Sequence, residues 1–75
     1  MSLDDGVWKM TTERFLRLRQ VSDITGLPQS SIYEAISQGN FPRQVRLGQH
    51  RVAWLESEIR EWQLERISER DEVAA

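Results

Sequence analysis

The sequence predicts a mainly α-helical fold with a small β-hairpin: a winged helix-turn-helix of three helices and a wing. Three observations carry that prediction. Residues 18 to 36 hold two apolar stripes at helical spacing, divided by Gly26-Leu27-Pro28. Residues 45 to 54 switch to a period of two around Gly48-Gln49-His50. From Leu55 onward the helical period returns, now with an acidic outer face.

The chain has 75 residues, room for one domain. A domain of this size buries only about 60% of its unfolded surface, so it has little stability to spare. It has no cysteine, which excludes disulfides, thiol chemistry and zinc fingers together. Its stability must come from apolar packing. No apolar run approaches the length of a membrane span, and Asp4 and Asp5 stand where a secretory signal would carry lysine or arginine. A cytoplasmic location without a membrane partner is therefore expected.

Residues 1–12, with Gly6, Val7, Trp8 and Met10 but no sustained period, read as a flexible arm. Trp8 is expected to pack on the domain or on a second copy. The folded unit is residues 13–67. Glu13 to Leu18 reads as extended or as one turn, with Phe15, Leu16 and Leu18 tucked under the first helix. Arg14, Arg17 and Arg19 among them either snorkel to solvent or contact flanking phosphates.

Leu18, Val21 and Ile24 form the stripe of the first helix, and Ile32, Ala35 and Ile36 that of the second. Gly26 suits a left-handed helix end and Pro28 a helix start. The outer face of the second helix carries Gln29, Ser30, Ser31, Tyr33, Glu34, Ser37 and Gln38. Short hydrogen-bonding groups in place of Lys/Glu pairs suit the reading of base edges in a major groove. The same residue types are also ordinary on helix surfaces, and helix pairs with a glycine turn occur in domains that never meet nucleic acid.

Gly39-Asn40 ends that helix with two residues suited to the left-handed cap, and Phe41-Pro42 forces extension, with Phe41 in the core. In the hairpin Val45, Leu47, Val52 and Trp54 face inward, with Arg51 and Ala53 opposite. Its outer face and tip carry Arg43, Gln44, Arg46, Gln49, His50 and Arg51, where arginines have no packing role. The third helix runs from Glu56 to about Arg66, burying Leu55, Ile59, Trp62 and Ile67 and turning Glu56, Glu58, Glu61 and Glu65 outward. Trp54 and Trp62 join hairpin to helix. Residues 68–75 read as a frayed polar tail.

The formal net charge is −2, but it is unevenly placed. Between Arg14 and Trp54 six arginines face two acids, a local +4 that the acidic ends outweigh. Phosphate attraction follows local rather than net charge, so a basic middle with acidic ends is compatible with DNA. Chance clustering in a soluble domain is the bland alternative. Chemistry is sparse: one histidine, carboxylates in a row on one helix face, no phosphate-cradling glycine loop and little volume for a pocket. No enzyme activity, metal, cofactor or small-molecule substrate is expected.

Several ordered blocks carry a resemblance: Arg17-Leu18-Arg19-Gln20-Val21, Thr25-Gly26-Leu27, Ser30-Ser31-Ile32-Tyr33, Gly39-Asn40-Phe41-Pro42, Val45-Arg46-Leu47-Gly48, Ala53-Trp54 and Ser57-Glu58-Ile59-Arg60-Glu61-Trp62. Across about residues 14 to 67 the chain resembles the AlpA family of prophage regulatory proteins, relatives of phage excisionases and of MerR-type DNA-binding domains. The resemblance implies a winged domain that binds double-stranded DNA and regulates transcription in a mobile element, activating an integrase or excision gene. By position it assigns Gln29, Ser30, Ser31, Tyr33 and Glu34 to the recognition helix and Arg43, Arg46, Gln49, His50 and Arg51 to the wing. Two features depart from the family pattern: Pro28 replaces a serine-type cap, and Gln29 and Glu34 stand where basic residues are usual. Without the cap, the helix start is left to Ser30, Ser31 or water, and Glu34 bears on sequence preference.

A homodimer or tandem copies on DNA are expected, because one small domain offers little contact area. Contact with RNA polymerase and nucleoid association when bound are further expectations. Two alternatives are carried forward. One is an excisionase-like architectural factor that bends DNA. The other is a protein-interaction module such as an anti-repressor, using Trp8 and the acidic third helix.

Overall fold

A computed structural model describes residues 12–74. The elements run β1 (Phe15–Leu16), α1 (Leu18–Thr25), α2 (Gln29–Ser37), β2 (Val45–Arg46), β3 (Val52–Leu55) and α3 (Glu56–Ala74). This is a winged helix-turn-helix, mostly helical, with a small antiparallel sheet. The expected arm, Trp8 included, lies outside the described residues but for Thr12.

The helix-turn-helix is built by its turn chemistry. The Arg17 N–H donates to Gln20 Oε1 at 2.8 Å, satisfying a donor ahead of α1. Gly26 ends the helix at φ 76°, its N–H donating to the Ser22 carbonyl at 2.8 Å, a left-handed cap that glycine adopts at little cost. Thr25 Oγ1 donates to the Val21 carbonyl, the Leu27 N–H donates to Thr25 Oγ1, and Ser22 Oγ donates to the Leu27 carbonyl. Helix α2 ends in a Schellman motif: the Gly39 N–H reaches the Ile36 carbonyl at 3.0 Å and the Asn40 N–H the Ala35 carbonyl at 2.8 Å. Gly39 alone takes the positive φ there; Asn40, expected to share it, does not.

The segment before α1 takes the extended of its two expected forms and adds a third strand. The sheet order is β1-β3-β2, both pairs antiparallel, with Leu16 opposite Trp54 and Val45 opposite Ala53. The wing strand β3 is thus the middle of the sheet. Ala53, expected on the open side, is buried: β3 is packed by α1 and α3 as well as paired on both edges, and a methyl group there is too short to reach past its neighbours.

The core is Leu16, Val21, Ile32, Phe41, Trp54 and Ile59, with Leu18, Leu27, Ala35, Ile36, Val52 and Trp62 packed around it. All three helices, β1 and β3 contribute to this set, and β2 does not. Four expected core residues stand about half exposed. Phe15 alternates outward from Leu16 in a strand that has only one side to bury. Ile24 lies in the last turn of α1, where the chain bends away and Leu27 packs on the core in its stead. Leu47 lies beyond the last strand pair, Arg46 with Val52.

Ile67 is exposed because α3 outruns the body. The helix continues to Ala74 instead of stopping near Arg66, so residues 68–74, read as a frayed tail, are helical. No helix among the described residues is long and apolar enough to cross a membrane.

Candidate nucleic-acid interface

Helix α2 turns Gln29, Ser30, Tyr33 and Glu34 to the surface, while Ser31 is half-buried on the flank toward Ala35. Ile32 anchors the opposite side and is fully buried. Pro28 precedes the helix in extended backbone, and no side chain caps it. The reading that Ser30 or Ser31 would supply the missing cap finds no support in this geometry. The first N–H groups of α2 are left for water or an anionic group. Ser37 closes the face, its hydroxyl donating to the Glu34 carbonyl at 2.7 Å.

Tyr33 has a second role that composition does not reveal. Its ring meets Trp54 edge-on, centroids 6.2 Å apart at 61°. Trp54 belongs to β3, so the outer face of α2 and the wing are referred to one buried residue. The segment between them is held as well. Trp54 Nε1 donates to the Pro42 carbonyl at 3.0 Å and Trp62 Nε1 to the Asn40 carbonyl at 2.9 Å. Phe41, between those two carbonyls, packs edge-on against Trp62 with centroids 4.9 Å apart. Both indoles therefore pin the link from α2 to the wing, beyond the expected role of joining hairpin to α3.

The wing is closed by the Leu47 N–H donating to the Arg51 carbonyl at 2.8 Å. Arg43, Arg46, Gln49, His50 and Arg51 are all exposed on it, and Gln44 is half-buried. Leu47 is exposed beside them, although the alternation predicts it inside. The available signal was its position next to Gly48, past the end of the paired strands.

The arginines before α1 divide. Arg14 pairs with Glu56 at 3.3 Å, beside the Glu56 N–H donating to the Arg14 carbonyl at 2.9 Å. Arg17 and Arg19 are exposed. The ion pairs among the described residues are Arg14–Glu56, Arg66–Glu69 and Arg70–Asp71, and none takes Arg17, Arg19 or a wing arginine. No carboxylate among the described residues is paired with those guanidinium groups. The acids gather elsewhere: a cleft of 390 Å³ floored by Phe41, Pro42 and Trp62 is rimmed by Glu58, Glu61 and Glu65. Arg66 lies 5.5 Å over the Trp62 ring there. No group of acids and histidines with the makings of a metal site occurs among the described residues.

A family model described as the prophage CP4-57 regulatory protein (AlpA) matches residues 14–67. The ORF88 protein of Enterobacteria phage P4 is 51% identical over 61 residues, covering 81% of this chain and 69% of its own. The DNA-binding transcriptional activator AlpA of Escherichia coli (strain K12) is 36% identical over 55 residues, covering 65% of this chain and 79% of its own. No solved structure matches.

Proposed function

Because the chain belongs to the AlpA family of prophage regulatory proteins, we propose that it activates an integrase or excision gene of its own mobile element. It is a DNA-binding transcriptional regulator of phage type. In this reading α2 lies in the major groove, where Gln29, Ser30, Tyr33 and Glu34 read base edges, with Ser31 fixing their flank. Arg43, Arg46, Gln49, His50 and Arg51 lie along the neighbouring backbone, with Leu47 against the groove wall. Arg17 and Arg19 hold flanking phosphates. Arg14, engaged by Glu56, contributes less.

The observation that carries this reading is the pairing of a polar helix face with an arginine-rich wing that lacks internal ion pairs, the two joined through Tyr33 and Trp54. Glu34 suits acceptance from a cytosine amino group better than approach to phosphate. The regulator works in the cytoplasm on the nucleoid, as two or more copies, and its acidic α3 is the surface left for RNA polymerase. No chemical reaction is assigned to it.

The test is a salt titration of binding to the duplex upstream of its element's integrase gene, beside an unrelated duplex. About four phosphate contacts give a log–log slope of roughly −3 to −4, with tighter binding to the upstream duplex. Equal affinity for both duplexes, with strong bending in a circular-permutation assay, assigns the protein to the architectural class instead. Absence of binding at low salt refutes both.

A further inference from the structure

The part of α3 that outruns the body carries a stripe that no other described residue covers. Leu64 is 57% and Ile67 46% exposed, and Arg60 and Asp71 beside them are exposed too. These four positions follow the spacing i, i+4, i+7, i+11 and so share one face of the helix. Ile59 and Trp62, which pack on the core, occupy another. From Leu64 to Glu72 every residue is exposed. A helical segment this short is marginal in water by itself. Its internal pairs, Arg66–Glu69 and Arg70–Asp71, are exposed and add little.

We propose that this stripe is a self-association surface, occupied by the same stripe of a second copy running antiparallel. The pattern fits itself. Read from either end it is charged, apolar, apolar, charged, with gaps of four, three and four residues, and its two ends have opposite sign. A two-fold axis passing between Leu64 and Ile67 sets Leu64 of one copy on Ile67 of the other. The same axis sets Arg60 of each copy on Asp71 of the other, as an isologous contact requires. A parallel arrangement would bring Arg60 onto Arg60 and Asp71 onto Asp71, so like charges oppose it. Arg60 has no ion-pair partner among the described residues, and Asp71 is bound only to its neighbour Arg70. The contact is small and belongs with transient interfaces. It involves no recognition or wing residue, and its test contains no DNA.

The test is sedimentation equilibrium of the full chain from about 10 µM to about 1 mM, the range in which a small interface dissociates. The mass should rise from 8.8 kDa toward twice that value. Leu64→Lys/Ile67→Lys should hold it at the monomer throughout, and at about 10 µM, where the wild type is also monomeric, its Tm should match the wild type because neither side chain is in the core. Arg60→Asp alone should weaken association about tenfold, and adding Asp71→Arg should restore it, the swap returning both pairs. A wild-type chain that stays monomeric overturns the proposal, as does a dimer that survives the double lysine variant. A charge swap that fails to restore association overturns the antiparallel register.

Discussion

Tyr33 rests the edge of its ring against Trp54, and by that contact the exposed face of α2 is indexed to the middle strand of the sheet. One side chain thus serves both the surface and the packing beneath it. The two roles separate by substitution. Tyr33→Phe retains the ring contact and removes the hydroxyl, so Tm should hold while the preferred DNA sequence relaxes by about 1–3 kcal/mol at one position. Tyr33→Ala should in addition lower stability, with about 0.5–1.5 kcal/mol from the lost aromatic pair alone. Thermal melts beside a base-by-base competition assay give both readings.

With the wing on the backbone as proposed, Arg46→Ala and Arg51→Ala act on the phosphate term. Each should weaken binding to every duplex alike and flatten the log–log salt slope by about 0.9. Arg14→Ala should move the slope less, since that guanidinium is engaged by Glu56, and should cost at most about 1 kcal/mol of stability. Fluorescence anisotropy across a salt series compares the three variants.

Gly26 supports the turn by conformation and not by space. A Cβ placed there meets nothing within 4 Å, yet its φ of +76° is strained for residues with side chains. Gly26→Ala should therefore destabilise by about 1 kcal/mol, and Gly26→Asn by less, since asparagine tolerates the left-handed region. A steric site would reverse that order, because asparagine is larger. Urea melts of the two variants decide the point.

Trp54→Phe keeps an aromatic ring in the core but loses the bond to the Pro42 carbonyl. It should cost about 1–3 kcal/mol, from the lost donor and the space left by the smaller ring. Because that bond fixes the link into the wing, affinity should fall on all sequences while the preferred sequence stays the same.

The sequence made the helix-turn-helix legible because its signals are local. Gly26, Pro28 and Gly39 declare turns through backbone chemistry, and the stripes of Val21 and Ile32 need only a period to be seen. Long-range features were less visible. The pairing of Leu16 with Trp54 joins residues far apart in the chain, and a two-residue strand leaves no alternation to detect. Ile24 and Leu47 obey the apolar period but stand at or just past element ends, and Ile67 lies in the part of α3 beyond the body, so at all three the period continues after the core has stopped. At the site, residue types and order were readable, whereas the seating of Tyr33 on Trp54 and the engagement of Arg14 by Glu56 depend on tertiary placement.

The outer strands β1 and β2 are two residues each, and arginines stand in or beside them: Arg14 and Arg17 flank β1, and Arg46 lies within β2. Unpaired strand borders are where one molecule can extend the hydrogen-bond ladder of another. Borders this short, with the exposed and unpaired Arg17 beside one and Arg46 within the other, give a second ribbon no purchase. The protein can therefore be crowded, as when many copies are produced at once, without being drawn into fibrils.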